Sequence, residues 1–213
     1  MKTRRVGLIV LALLSVGVFY GCRGPRIEPP GTKIAVLNFD LTQDVDVNKE
    51  LKGWWFTSRD VYYNQNAGEI IADIFADTIR NQCPFADVYS RTDYKYYLVS
   101  KREILKRELP DLNDDKIDQI IHELDPVDIG RDLGMDKVVV GAVFDTYTTH
   151  HRTVHWWSSV VDAEVKIIDV ATGKIEWQSR MDERNICLSW YSTANTLARK
   201  MIKLMNKQLF YRA

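Results

Sequence analysis

Apolar residues repeat with two different periods along this chain, and the changes of period divide it into elements. Lys33 to Phe39 reads Lys-Ile-Ala-Val-Leu-Asn-Phe, a nearly continuous apolar run with β-branched members, which predicts a buried strand. Residues 40–63 are polar and aromatic without a clear period and read as a long loop holding Gly53-Trp54-Trp55-Phe56. From Asn66 the period turns helical. Ile70, Ile71, Ile74, Phe75, Thr78 and Ile79 share one face, and Asn66 with Glu69 has the spacing of a capping box. Cys83-Pro84 stops this helix, and Phe85 to Tyr89 is a short strand. Ser90 and Asp93 start a second helix that runs to about Leu109, with Tyr94, Leu98, Lys101 and Leu105 on one side. Asn113 caps a third, with Ile117, Ile120, Ile121 and Leu124 inward. Asp125-Pro126 begins a short fourth that Gly134 closes.

After Gly134 the pattern becomes that of strands. Lys137 to Phe144 is apolar on both faces, and Val161 to Val170 alternates, with Ala163, Val165 and Ile167 opposite Asp162, Glu164 and Lys166. Ala171-Thr172-Gly173-Lys174 is a tight turn into a returning strand, Ile175 to Ser179. An amphipathic helix from about Ser192 to Leu209 carries Leu197, Met201, Leu204 and Met205 inward. A strand apolar on both faces needs cover on both sides. The order β-α-β-α-α-α-β-β-β-α therefore predicts a three-layer α/β domain, a mixed sheet with helices on both faces.

Charge and composition narrow the functions open to such a domain. The chain has 213 residues, with 29 Lys and Arg balanced by 29 Asp and Glu. No basic field is present to hold nucleic acid. Six Trp, ten Tyr and seven Phe are enough for a substantial core, so the chain is not a disordered tail.

The first 22 residues have their own logic. Lys2, Arg4 and Arg5 precede an uncharged apolar run, Val6 to Tyr20, and the stretch closes on Gly21-Cys22. A basic start, a short apolar middle and a small residue at the cut describe an export signal. The run is too short to span a membrane comfortably, which takes about 20 residues. Phe19-Tyr20-Gly21-Cys22 resembles the lipobox of bacterial lipoproteins in its Gly and Cys, with bulkier residues before them. The resemblance implies removal of residues 1–21 and acylation, with a palmitate-type chain, of Cys22. Residues 22–32 are then a lipidated tether and 33–213 the domain. Cleavage near Ser15 and Gly17, or an uncleaved anchor, are the two other readings. Cys83 and Cys187 are the remaining cysteines; after export they can form a disulfide, or they can be buried thiols.

Three strings carry a wider likeness: Lys33 to Phe39; Ile129-Gly-Arg-Asp-Leu-Gly-Met-Asp-Lys-Val-Val-Val-Gly-Ala-Val143; and Val165-Lys-Ile-Ile-Asp-Val-Ala-Thr-Gly-Lys-Ile-Glu-Trp177. With this element order they resemble the CsgG-like family of periplasmic lipoproteins, which includes the curli secretion channel and an activator of peptidoglycan synthases. The resemblance implies an anticodon-binding-domain-like fold and a non-catalytic role. It places the protein on the periplasmic side of the outer membrane, since Arg23 is not the Asp that retains lipoproteins in the inner membrane. It also implies envelope protein partners, with the domain itself either a monomer or a small homo-oligomer.

The alternative within that family is a secretion-channel subunit. A membrane-spanning strand needs about 9–11 residues with one apolar face. Phe144 to Asp162 is the one segment that offers a hairpin, and its arms past the core are shorter than that and do not alternate cleanly. A non-pore accessory factor is the better reading.

No constellation of catalysis is present: no Walker loop, no Gly-x-Gly-x-x-Gly, no Gly-x-Ser-x-Gly and no Cys-x-x-Cys. No cofactor is implied. His150, His151 and His155 are the one candidate metal cluster, but no cysteine or His-Glu-x-x-His pattern completes a site, and a polar hairpin tip explains them better; His122 reads as an exposed helical residue. The doublets Trp54-Trp55 and Trp156-Trp157 are the candidate partner-binding residues. Neighbours on a strand point to opposite faces, so one Trp of each pair can enter the core while the other is exposed, where Trp favours binding hot spots. The other reading is that these rings close a satellite cluster over the sheet.

Overall fold

The computed structural model describes residues 31–42, 59–151 and 155–209. Cys22, Trp54 and Trp55 lie outside the described residues, as do the proposed signal and most of the tether.

The described chain forms a six-stranded mixed sheet with five helices. The strands are β1 (Thr32–Leu41), β2 (Arg59–Tyr63), β3 (Ala86–Val88), β4 (Lys137–His151), β5 (Trp156–Asp169) and β6 (Ile175–Ile186). The helices are α1 (Ala67–Gln82), α2 (Arg91–Glu108), α3 (Asp114–His122), α4 (Pro126–Asp132) and α5 (Trp190–Gln208). The order across the sheet is β3-β1-β4-β5-β6, with β2 also on β4. β1 runs parallel to β3 and β4; the pairs β2–β4, β4–β5 and β5–β6 are antiparallel.

The sheet is the middle of three layers, as β1 shows. Ile34, Val36 and Phe39 enter a core with Ile71, Phe75, Leu197 and Met201 of α1 and α5. Ala35 and Leu37 enter a second core with Tyr94 and Ile129 of α2 and α4. Both sets are almost fully buried, so the helices segregate by face as the strand pattern requires.

Phe39 reaches the first core because of a bulge. The β1–β4 register jumps between Val36 and Phe39, which returns Phe39 to the side of Val36. Its ring lies over Gly141, where a Cβ would come within 2.5 Å of it, and 5.3 Å from the ring of Phe75. Its carbonyl meets Gly68 at the start of α1, where a Cβ would stand 2.0 Å from the oxygen. Two glycines thus allow helix, strand and ring to close on one point.

β3 is only three residues long, and beyond it the outer edge of β1 would be bare. Arg91, the first residue of α2, closes it. Its guanidinium donates to the Val36 carbonyl (2.7 Å), to Asn38 Oδ1 (2.6 Å) and to Asp73 Oδ1 of α1 (2.7 Å). A charged group with its donors satisfied takes the place of a strand partner there.

Several local expectations hold. Ser90, Asn113 and Asp125 accept the capping bonds, and Gly134 follows α4 with φ +66°. The capping box at Asn66 does not form: its side chain makes no cap bond, and Glu69 pairs with Lys95 of α2 at 2.5 Å instead. The disulfide does not form either. Cys83 is a buried free thiol at the end of α1, donating to Asn206 Oδ1 of α5 (3.2 Å), while Cys187 is exposed after β6. The buried-thiol reading therefore holds for Cys83 alone.

The larger differences concern the strands. The end of the 40–63 loop is β2, and β4, β5 and β6 run well past the expected limits of Phe144, Val161 and Ser179. The segment 144–162 is not a hairpin standing off the domain. β2 flanks β4 over Tyr147–His151, and β6 flanks β5 as far as Ser158.

Candidate functional site

The sheet outruns its helices at one end, and the candidate site is there. β1 stops at Leu41, and β2 takes its place beside β4, setting Tyr63 opposite Tyr147 and Tyr62 opposite Thr148. On the α5 side, cover ends at the start of that helix. Ser189 caps it, the Trp190 indole donates to Thr146 Oγ1 (2.7 Å), and Thr193 shares a short hydrogen bond with Ser159. No described helix reaches the next row of side chains.

That row is aromatic on both faces. On the α5 side Trp157 stacks on His150, with centroids 4.4 Å apart and planes at 24°, and the Tyr62 ring stands 5.8 Å from Trp157. On the opposite side Trp156 meets His151 edge-on at 5.5 Å, and His151 Nε2 is 3.0 Å from Ser158 Oγ. Trp156 and Trp157 are 40% and 44% exposed, so neither is core. This corrects the expectation that one of the pair enters the interior. The alternation of faces is as expected, but at this row neither face has a described helix to receive a ring. The metal reading of His150, His151 and His155 loses its geometry as well, since His150 and His151 are turned to opposite faces, each against a Trp.

Three further exposed apolar residues adjoin the tryptophans: Tyr62, Ile186 and Leu188. Ile186 pairs with Ser158, the Cys187 amide donates to the Trp157 carbonyl (2.7 Å), and Ser159 Oγ donates to the Leu188 carbonyl (3.3 Å). The left-handed φ of Cys187 (+63°) turns the chain from β6 into α5 and leaves Leu188 at the surface. Sequence reading missed these three because they become neighbours only through the extended strands. The pair Tyr62-Tyr63 before α1 was the available signal. The assembly offers ring faces, ring edges and aliphatic surface.

A cleft of about 390 Å³ lies between α2–α3 and the uncovered part of the sheet, floored by Leu37, Tyr94 and Val140. Its acidic rim is engaged within the protein. Lys166 binds Glu164 (2.9 Å) and holds that carboxyl below the ordinary glutamate range, and Arg102 binds Asp118 (2.7 Å). The aromatic end is therefore the stronger candidate.

No family model matches the chain, and no curated protein matches it by sequence. Solved structures do. A variant of PelC from Paraburkholderia phytofirmans, a dodecamer, superposes with TM-score 0.51 at 16% identity, over 87% of this chain and 95% of that one. The lipoprotein GNA1162 from Neisseria meningitidis matches with TM-score 0.48 at 14% identity, over 84% and 99%. The LpoB C-terminal domain from Salmonella enterica gives 0.35 at 13%, over 72% and 83%. At these identities the PelC match establishes the fold and nothing finer. The likeness to CsgG-like lipoproteins rests on the strings quoted above.

Proposed function

We propose that this chain is an exported envelope protein, anchored through an acylated Cys22 to the periplasmic side of the outer membrane. In this reading it is a non-catalytic accessory factor that binds other proteins and self-associates. The observation that carries the binding is the aromatic end of the sheet. Trp156 and Trp157 are exposed on opposite faces of the β4–β5 pair, with Tyr62, Ile186 and Leu188 beside them. Monomeric soluble proteins seldom leave such clusters bare without an interaction to serve. Trp and Tyr on a stiff support lose little entropy when a partner covers them.

The anchor is supported by the Gly21-Cys22 signal, and no helix among the described residues is long and apolar enough to cross a membrane. The channel-subunit alternative draws no support from the segment it needs, because β2 and β6 occupy the outer edges of Tyr147–His151 and Ser158–Asp162 within the subunit. Self-association has a parallel in PelC, whose crystal form is a dodecamer.

The anchor has a direct test. Cells fed a palmitate analogue should label the wild-type protein and fail to label Cys22→Ser, which should move from the membrane to the soluble fraction. Equal labelling of the two forms contradicts the reading.

A further inference from the structure

β6 ends the sheet, and its outer edge is not covered by any described strand or helix. The other end is protected by the short β3 and by Arg91, whereas β6 presents twelve residues. Which of its groups are available follows from one bond. The Cys187 amide donates to the Trp157 carbonyl, and from Ser158↔Ile186 to Ile167↔Trp177 the register has no bulge. Odd-numbered residues of β6 therefore bond β5. Gln178, Arg180, Asp182, Arg184 and Ile186 turn their N–H and C=O groups outward. Their side chains are also the exposed ones.

Charges on an edge strand ordinarily keep copies apart. Here their order decides otherwise. In an antiparallel pairing of β6 with β6 of a second copy, a register centred on Ser179 sets Glu176 against Asp182. One centred on Arg180 sets that residue against itself. One centred on Asp182 does the same for Asp182 and also opposes Arg180 to Arg184. The register centred on Gln178 has no like-charged pair but joins only residues 175–181 of each strand, whereas the one centred on Met181 joins 176–186 and has none either. The Met181 register sets Arg180 against the second copy's Asp182 twice over, and Arg184 against Gln178. Arg180 is already held in place, bidentate on Asp162 (3.0 and 2.7 Å) with its guanidinium carbon 3.7 Å from the centroid of the Phe144 ring.

We infer that β6 is a self-recognition edge: two copies pair antiparallel through it, about a twofold axis at Met181, into one continuous sheet. This rests on the self-association in the reading above and names its surface. The pairing leaves the two Trp156-Trp157 ends at the far ends of the dimer, both open, so a dimer is bivalent for any partner they hold. If both copies carry the Cys22 anchor, the joined sheet lies along the membrane, because β1 enters each subunit at the end opposite its tryptophans.

The test is cross-linking of the full-length protein in its own membranes, in a Cys187→Ser background. At the centre of the register Cα atoms of the two copies face each other at about 4.5–5.5 Å, inside disulfide range. Met181→Cys oxidised with copper–phenanthroline should give a dimer on a non-reducing gel. Ser179→Cys and Glu183→Cys, whose copies stand about 13 Å apart in this register, should not. Adding Asp182→Arg, a surface change that sets Arg against Arg180, should lower the Met181→Cys dimer by at least about tenfold. Linking at 179 or 183 in place of 181, or a dimer indifferent to Asp182→Arg, overturns the edge while leaving self-association standing. No linking at any position, with a monomeric mass for the extracted wild type, overturns both.

Discussion

Glu176→Ala should lower the melting temperature by about 10 °C or more, from a strand-end position that sequence alone would rank as unremarkable. Lys137 opens β4 and is 2% exposed, and its ammonium is held by the carboxylate of Glu176 at the start of β6. The pair joins two strands separated by β5. Deleting one member of a buried pair leaves the other charge short of its carboxylate in a medium that solvates it poorly, at a cost of about 3–5 kcal/mol. In a domain of this size each kcal/mol moves the midpoint by about 2–4 °C. Replacing both members, Lys137→Met with Glu176→Leu, removes the buried charges together and should recover most of the loss. Thermal melts of the two variants read this directly. A single variant that melts like the wild type would show that water or another group already solvates Lys137.

Gly68→Ala should cost about 3 kcal/mol or more, although alanine is the better helix former. The new Cβ would stand 2.0 Å from the Phe39 carbonyl oxygen, and backbone on both sides leaves nothing flexible to yield. α1 must lift from β1, which loosens Phe75 and the ring of Phe39 together. Gly134→Ala is the contrast. Its added Cβ meets nothing, but the φ of +66° strains an alanine, so its cost is about 1–2 kcal/mol. Denaturant midpoints of the two variants should differ accordingly. Equal losses would mean that the approach at Phe39 is not tight.

Where the chain has a long period and a clear stop, it is legible. The five helices and the two-faced burial of β1 and β4 follow from apolar spacing, and Ser90, Asn113, Asp125 and Gly134 mark boundaries by residue type. The extent of β4 to β6 was not legible. Thr-Tyr-Thr-Thr-His-His and Arg-Met-Asp-Glu-Arg-Asn-Ile are strands because neighbours pair with them across the sheet, and pairing of that kind leaves no apolar period in either segment. The same reason hides most of the site. Trp156 and Trp157 were visible as a doublet, but their exposure on both faces depends on how far α5 reaches. Tyr62, Ile186 and Leu188 join them through β2 and the end of β6. The Asn66–Glu69 box failed by competition, because Lys95 offers Glu69 a closer partner than a backbone amide.

The account's central claim is that the aromatic end binds protein and does not hold the fold together. It is tested most directly by Trp157→Ala in the acylated full-length protein, measured two ways. Capture of envelope proteins from the native membrane is quantified against wild type, and the variant is melted alongside. Trp157 is nearly half exposed and stacks mainly on His150, so its loss should shift the melting temperature by only a few degrees. A hot-spot Trp contributes on the order of 2 kcal/mol or more to binding, so capture of a specific partner should fall about thirtyfold. Undiminished capture with a melting temperature lowered as far as a core deletion lowers it, about 3–5 kcal/mol of stability, would contradict the claim and make these rings structural.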